Sequence, residues 1–157
     1  MDHPKAIGDR TTLAIMLALH ALDVPTSVPF GENTRYDLII ERGRRLLRVQ
    51  CKTGRLRAGA VRFNTCSFYG HHPNPKPYRD YIGEIDAFAV YCLETGVVYL
   101  IPIEDVALRR QGALRVTAPR NNQRRRIRFA SDYEIARVMI TTRPVPRAPA
   151  GAGRSSA

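Results

Sequence analysis

The chain has 157 residues, the size of one compact domain with a modest tail, which argues against a repeat array or a multidomain enzyme. Hydrophobic residues make up 44% of it, enough to close a core, and its longest apolar run, residues 13–19, falls far short of the roughly 20 residues that cross a bilayer. Lys+Arg 25 against Asp+Glu 14 leaves a net charge of +11, so polyanions are the expected partners, nucleic acid first among them.

In chain order, residues 9–22 carry a cap candidate at Asp9, good helix formers and no Gly or Pro, which predicts an N-terminal helix stopped by Pro25. A signal-peptide reading of its apolar stretch is countered by Asp2 and Asp9 before it and His20 within it. Residues 27–30 read as a short extended piece, and 31–34 as a turn into residues 35–40 (RYDLII), which have strand composition. A turn at 41–43 then sets up an antiparallel return through residues 46–52. Residues 53–60 read as a basic loop and 61–65 as a further strand. Residues 66–80, with Pro73, Pro75 and Pro77, read as a long loop of the length that often serves as a flap. Residues 86–92 and 97–102 predict a second hairpin around Glu94-Thr95-Gly96. A short helix at 104–109, a strand at 114–117 and a helix at 131–138 capped by Ser131 and Asp132 complete the folded part. The organisation expected is a domain over 1–141 and a Pro/Ala/Gly/Ser-rich disordered tail over 142–157.

Cys51, Cys66 and Cys92 form an odd set without CxxC spacing and read as reduced core thiols, consistent with a cytoplasmic, nucleoid-associated location. His71 and His72 are adjacent in an extended loop and lack the paired spacing of a zinc site. Tyr69, Tyr78 and Tyr81 are suited to stacking on bases or to pinning the loop, and packing is the expected role.

The chemistry concentrates in Asp37 and, on the returning strand, Arg48-Val49-Gln50-Cys51-Lys52. Alternate residues of a strand share a face, about 6.5–7 Å apart, so Gln50 and Lys52 project together while Val49 and Cys51 pack on the opposite side. A hairpin register can bring Asp37 beside them. A carboxylate, an amide oxygen and an ammonium group are what metal-assisted phosphodiester hydrolysis uses, with the Cys51 carbonyl as a further oxygen. The same residues also fit a plainer account, a turn carboxylate and two solvated strand side chains, because D…QxK is short and common.

The blocks GENTRYDLII, RVQCKTG, VRFNTCS, EIDAFAVYC and VYLIPIED, in this order, resemble the PD-(D/E)XK nuclease superfamily, and within it the branch related to group I intron-encoded homing endonucleases. The resemblance runs from about Gly8 to Asp105. It implies an α/β restriction-endonuclease-like fold: a mixed central sheet, an N-terminal helix and a C-terminal helix. It also implies Mg²⁺-dependent endonuclease activity on double-stranded DNA, of the homing or a structure-selective type, with Mn²⁺ as a substitute ion. Carried over by position, the metal-binding aspartate is Asp37, the acidic position holds Gln50 and the lysine is Lys52; Asp37, Gln50 and the Cys51 carbonyl are the implied metal ligands. The proline of the motif name is absent before Asp37, and the helix position that often supplies a glutamate holds Thr12. Glu32, in the turn before Asp37, is a further ligand candidate.

Arg55, Arg57 and Arg62, with Asn64, and the segment Asn121, Asn122, Gln123, Arg124, Arg125 and Arg126 are the candidate nucleic-acid contacts. Cutting both strands with one site per chain calls for a homodimer or higher homo-oligomer. The thin acidic complement keeps a second reading in play, a nuclease-like DNA-binding module without catalysis, and a basic chain of this kind also admits an RNA partner.

Overall fold

A computed structural model of the chain describes residues 3–31, 33–68, 78–106, 110–118 and 127–141. The candidates Glu32, Tyr69, His71, His72, Asn121, Asn122, Gln123, Arg124, Arg125 and Arg126, most of the 66–80 loop and the tail from residue 142 lie outside them. Among the described residues no helix is long and apolar enough to cross a membrane.

Helix α1 spans Pro4–Ala21 and starts upstream of the expected position. Pro4 takes the first helical turn, where a missing N–H is no loss and φ is already helical, and His3 Nδ1 accepts from the Lys5 N–H at 3.3 Å. Gly8 is therefore an interior residue and not a boundary. The helix ends where Asp23 turns to φ +54, with Pro25 just beyond.

Strands β1 (Thr26–Ser27), β2 (Leu38–Arg42), β3 (Arg45–Arg57) and β4 (Ala60–Asn64) follow, then a small separate pair, β5 (Ser67–Phe68) and β6 (Tyr78–Arg79). Strands β7 (Ala87–Cys92), β8 (Val98–Pro102) and β9 (Gln111–Arg115) complete the seven-stranded mixed sheet, and α2 (Ile135–Ile140) closes the described chain. The 53–60 loop expectation is overturned: Thr53–Arg57 continues β3, and only Ala58 and Gly59, at φ +50 and +73, make the turn. That positive-φ pair is what a two-residue hairpin requires. Charge on one face of the ribbon had disguised a strand alternation.

The expected helix over 104–109 is instead a single 3-10 turn, Ile103–Asp105, with 107–109 outside the described residues. The helix predicted over 131–138 is also displaced. Ala130–Asp132 form a 3-10 turn, and α2 starts after Glu134 without a side-chain cap. The cause is the edge of β8: Leu100 N–H donates to the Tyr133 carbonyl at 2.8 Å and Tyr99 bridges Glu134, so the chain is drawn out to cover that edge before it can coil.

Strand β3 is the spine. It pairs antiparallel with β2 through residues 45–49, parallel with β7 through 49–54, and antiparallel with β4 through 55–57. On the α1 side Ile15 and Leu19 pack over Leu38, Ile40, Val49, Cys51, Ala87, Ala89 and Leu100. The small Ala87 and Ala89 let the helix approach closely. The other face of β7 carries Phe88, Val90 and Cys92 into a second core with Val61, Phe63, Tyr81, Ile101 and Leu114. Cys51 and Cys92 are thus buried as expected, Cys66 is only half-buried, and all three thiols are free.

Gly54 sits where β3 exchanges partners, and a Cβ there would lie 2.8 Å from both Val61 Cγ1 and Val90 Cγ1. Both neighbours are β-branched and cannot turn away. Gly54→Ala should destabilise the protein by about 1–3 kcal/mol in urea unfolding. Gly8→Ala, inside α1 with nothing within 4 Å of the new methyl, should stabilise it by about 0.5–1 kcal/mol. Equal effects of the two substitutions would contradict this packing.

Candidate active site

The register Leu38↔Val49 sets Asp37 opposite Gln50, just past the end of β2. Strand β2 leaves β3 at Val49 and β4 joins only at Arg55, so residues 50–54 of β3 have a described strand partner on the β7 side alone. In that gap the Asp37 N–H donates to the Val49 carbonyl at 2.9 Å, and the Cys51 N–H donates to Asp37 Oδ2 at 2.9 Å. The aspartate side chain thereby replaces a missing strand.

Alternation along β3 works as expected. Val49 and Cys51 belong to the α1-side core, and Lys52 lies on the opposite face, where its Nζ donates to the Tyr81 hydroxyl at 3.0 Å. Gln50 Nε2 lies 3.5 Å from the Cys51 carbonyl oxygen, at the long limit of a hydrogen bond. A half-turn of the amide would present Oε1 at the same place. Asp37, the Cys51 carbonyl and the Gln50 amide therefore meet at one opening of the sheet edge.

Burial pushes the Asp37 carboxyl above its usual range, against the opposing pull of the Cys51 N–H and the Lys52 charge. Burial, with the Asp37 charge beside it, drives the Cys51 thiol up as well, so at neutral pH Cys51 is a protonated thiol and its oxygen, not its sulfur, is the donor available to a cation. Thr12 of α1 lies against that thiol, on the α1 side of β3. Its neighbour Thr11 is buried and bonds Thr53 at 2.7 Å, tying α1 to β3. No cluster of three or more His, Cys, Asp or Glu occurs among the described residues, which leaves Asp37 as their one carboxylate at the opening.

Tyr81 packs as expected, while Arg35 and Glu84 beside it were not among the site candidates. The Tyr81 ring is 4% exposed, stands edge-on to Phe88 at 5.6 Å, and receives the Arg35 guanidinium 4.1 Å from its centroid. Arg35 is fixed by Glu84, by Ser67 Oγ at 2.9 Å and by the Asp80 carbonyl at 2.6 Å. Its hydrogen bond holds the Glu84 carboxyl below the usual range. These residues are far apart in sequence and share no period, so only the fold brings them together. Tyr78, by contrast, is exposed and stacks on Arg110 at 4.2 Å.

Arg55, Arg57, Arg62 and Asn64 lie on one exposed sheet face, joined by Gln111 opposite Asn64. They line a basin of about 500 Å³ together with Thr53 and Phe63. Alternation puts this face on the α1 side of β3, across the strand from Gln50 and Lys52. Glu94 accepts from the Leu56 N–H and lies 3.6 Å from Arg55.

A family model for the PD-(D/E)XK endonuclease matches residues 2–136. No curated protein matches the chain significantly. Among solved structures, the bacterial homing endonuclease I-Ssp6803I is similar in fold, with a TM-score of 0.67 and 23% identity over 88% of this chain and 93% of that one. The fold is accordingly restriction-endonuclease-like. With the family model matching residues 2–136, nearly the whole described chain, this chain belongs to the PD-(D/E)XK endonuclease family.

Proposed function

We propose that the protein is a divalent-metal-dependent endodeoxyribonuclease whose site is the gap in β3 pairing at Asp37, Gln50, Cys51 and Lys52. The observation that carries this reading is the Asp37 carboxylate held on the Cys51 N–H, beside the Cys51 carbonyl and the Gln50 amide. Carboxylate, carbonyl and amide oxygens are hard donors and suit Mg²⁺, with Mn²⁺ as a substitute. A bound divalent cation would lower the pKa of a coordinated water and polarise a phosphoryl oxygen. Lys52, anchored on Tyr81, places a positive charge where the scissile phosphate gains negative charge. One described carboxylate gives few ligand charges, which points to cation affinity on the order of millimolar. Glu32 is a candidate for a second.

Duplex DNA is the substrate that the basic face suits, with Arg55, Arg57 and Arg62 as phosphate contacts and Asn64 as a base-edge reader. The outside segment with Asn121, Asn122, Gln123, Arg124, Arg125 and Arg126 is proposed for the same task. A double-strand cut then needs at least two copies, most simply a two-fold homo-oligomer.

Purified protein should cleave duplex DNA with Mg²⁺ or Mn²⁺ and stop on chelation, and Asp37→Asn and Lys52→Ala should each lose at least about 10³-fold in rate. Tight DNA binding by wild type with no cleavage under any divalent ion would favour the non-catalytic binding module instead.

Asp37→Asn also has a stability signature. Because the folded carboxyl is raised above its unfolded value near 3.8, the proton-bound form is favoured by folding, and stability is lost as pH rises through the folded pKa. In chelator at pH 7 the Asn variant, which still accepts from Cys51 N–H, should therefore be at least as stable as wild type, and the advantage should vanish below pH 3.8. A variant less stable than wild type at pH 7 would mark Asp37 as structural.

For the basic face, Arg55→Ala and Arg62→Ala should each reduce the salt slope of duplex binding by about 0.9. Unchanged slopes in both would remove this face from the DNA interface.

A further inference from the structure

We propose that Tyr81 is a positioning residue for hydrolysis: its buried phenol accepts a hydrogen bond from Lys52 and so fixes the ammonium group at the site before DNA arrives. This rests on the metal-dependent nuclease reading of the site. A lysine side chain has four rotatable bonds and a compact charge, so an unanchored Lys52 would sample many positions around the gap.

Here the anchor is rigid by construction. Tyr81 opens a tight turn in which its carbonyl accepts from the Glu84 and Ile85 N–H groups at 3.0 and 3.3 Å, directly before β7. Its ring leans on Phe88, which in turn lies 6.0 Å from Phe63, so the aromatic stack runs from the second core to the phenol.

The two cations at Tyr81 differ in what they leave free. Arg35 commits Nε to Glu84, one terminal nitrogen to Ser67 and the other to Asp80, which makes it part of the clamp. Lys52 gives one hydrogen bond to Tyr81 and, among the described residues, forms no salt bridge. An ammonium has three donors. Its other two are left for phosphate or water on the Asp37 side, and the Lys52 charge already acts on Asp37. The ring also holds the ammonium electrostatically, with Nζ 4.8 Å from its centroid.

The test uses the small lysine count of the chain. With only Lys5, Lys52 and Lys76 present, ¹³Cε-lysine labelling of the full chain gives three ε signals, and Lys52→Arg identifies one of them. Wild type should show an Overhauser contact between the Lys52 ε protons and the Tyr81 ring. Tyr81→Phe keeps the ring and removes the acceptor. It should move the Lys52 ε signal toward those of the other lysines and lower kcat for DNA cleavage about 10–100-fold, with duplex affinity in chelator and the thermal midpoint unchanged. The proposal is overturned by an absent contact in wild type, by an unmoved Lys52 signal in Tyr81→Phe, or by a loss of DNA affinity with kcat intact, which would make Tyr81 a substrate contact. Wild type that does not cleave DNA removes the nuclease reading, and the two spectroscopic results then decide for or against the Tyr81 anchor by themselves.

Discussion

A main-chain N–H inside a sheet must find an acceptor, and at Cys51 the acceptor is the carboxylate of Asp37. That one hydrogen bond exists because β3 changes partners along its length. It follows β2 as far as Val49, takes β4 from Arg55, and between these points has β7 on one side only. A continuous neighbour would have consumed the Cys51 carbonyl and pushed the aspartate out. The fork makes an opening, and the opening gathers oxygen donors from a side chain and the backbone at a place that a packed sheet would have sealed.

The same arrangement places an acidic group where folding alone would not. Burial raises the Asp37 carboxyl, so its charged form is held against a local cost. A carboxyl displaced in this way marks Asp37 as a candidate site residue. Two neighbours offset that cost: the Cys51 N–H on one oxygen and the Lys52 charge nearby. Thr12 lies beside the Cys51 thiol on the α1 side, and Asp37 as the one described carboxylate leaves the site poorer in negative charge than a two-carboxylate centre.

Period-two patterning made the hairpins readable in advance. The turn at Gly43 and the alternation through Val49, Gln50, Cys51 and Lys52 fix which side chains share a face, and the Leu38↔Val49 pairing follows from them. Elements whose local signal was opposed by composition were less legible. The second half of β3 carries Arg55 and Arg57 and so resembled a loop, α1 begins with a proline and contains Gly8, and the segment before α2 is held extended by β8. Least legible was the support around Lys52. Arg35, Tyr81 and Glu84 converge through tertiary contacts alone, and nothing in their spacing announces a shared role.

The central claim is that the break in β3 is built to receive a cation. Diffraction at the manganese absorption edge from crystals equilibrated with Mn²⁺ tests it most directly. The account predicts an anomalous peak about 2.0–2.6 Å from both an Asp37 carboxylate oxygen and the Cys51 carbonyl. An empty gap at saturating Mn²⁺, with the ion absent or bound elsewhere on the molecule, would contradict it.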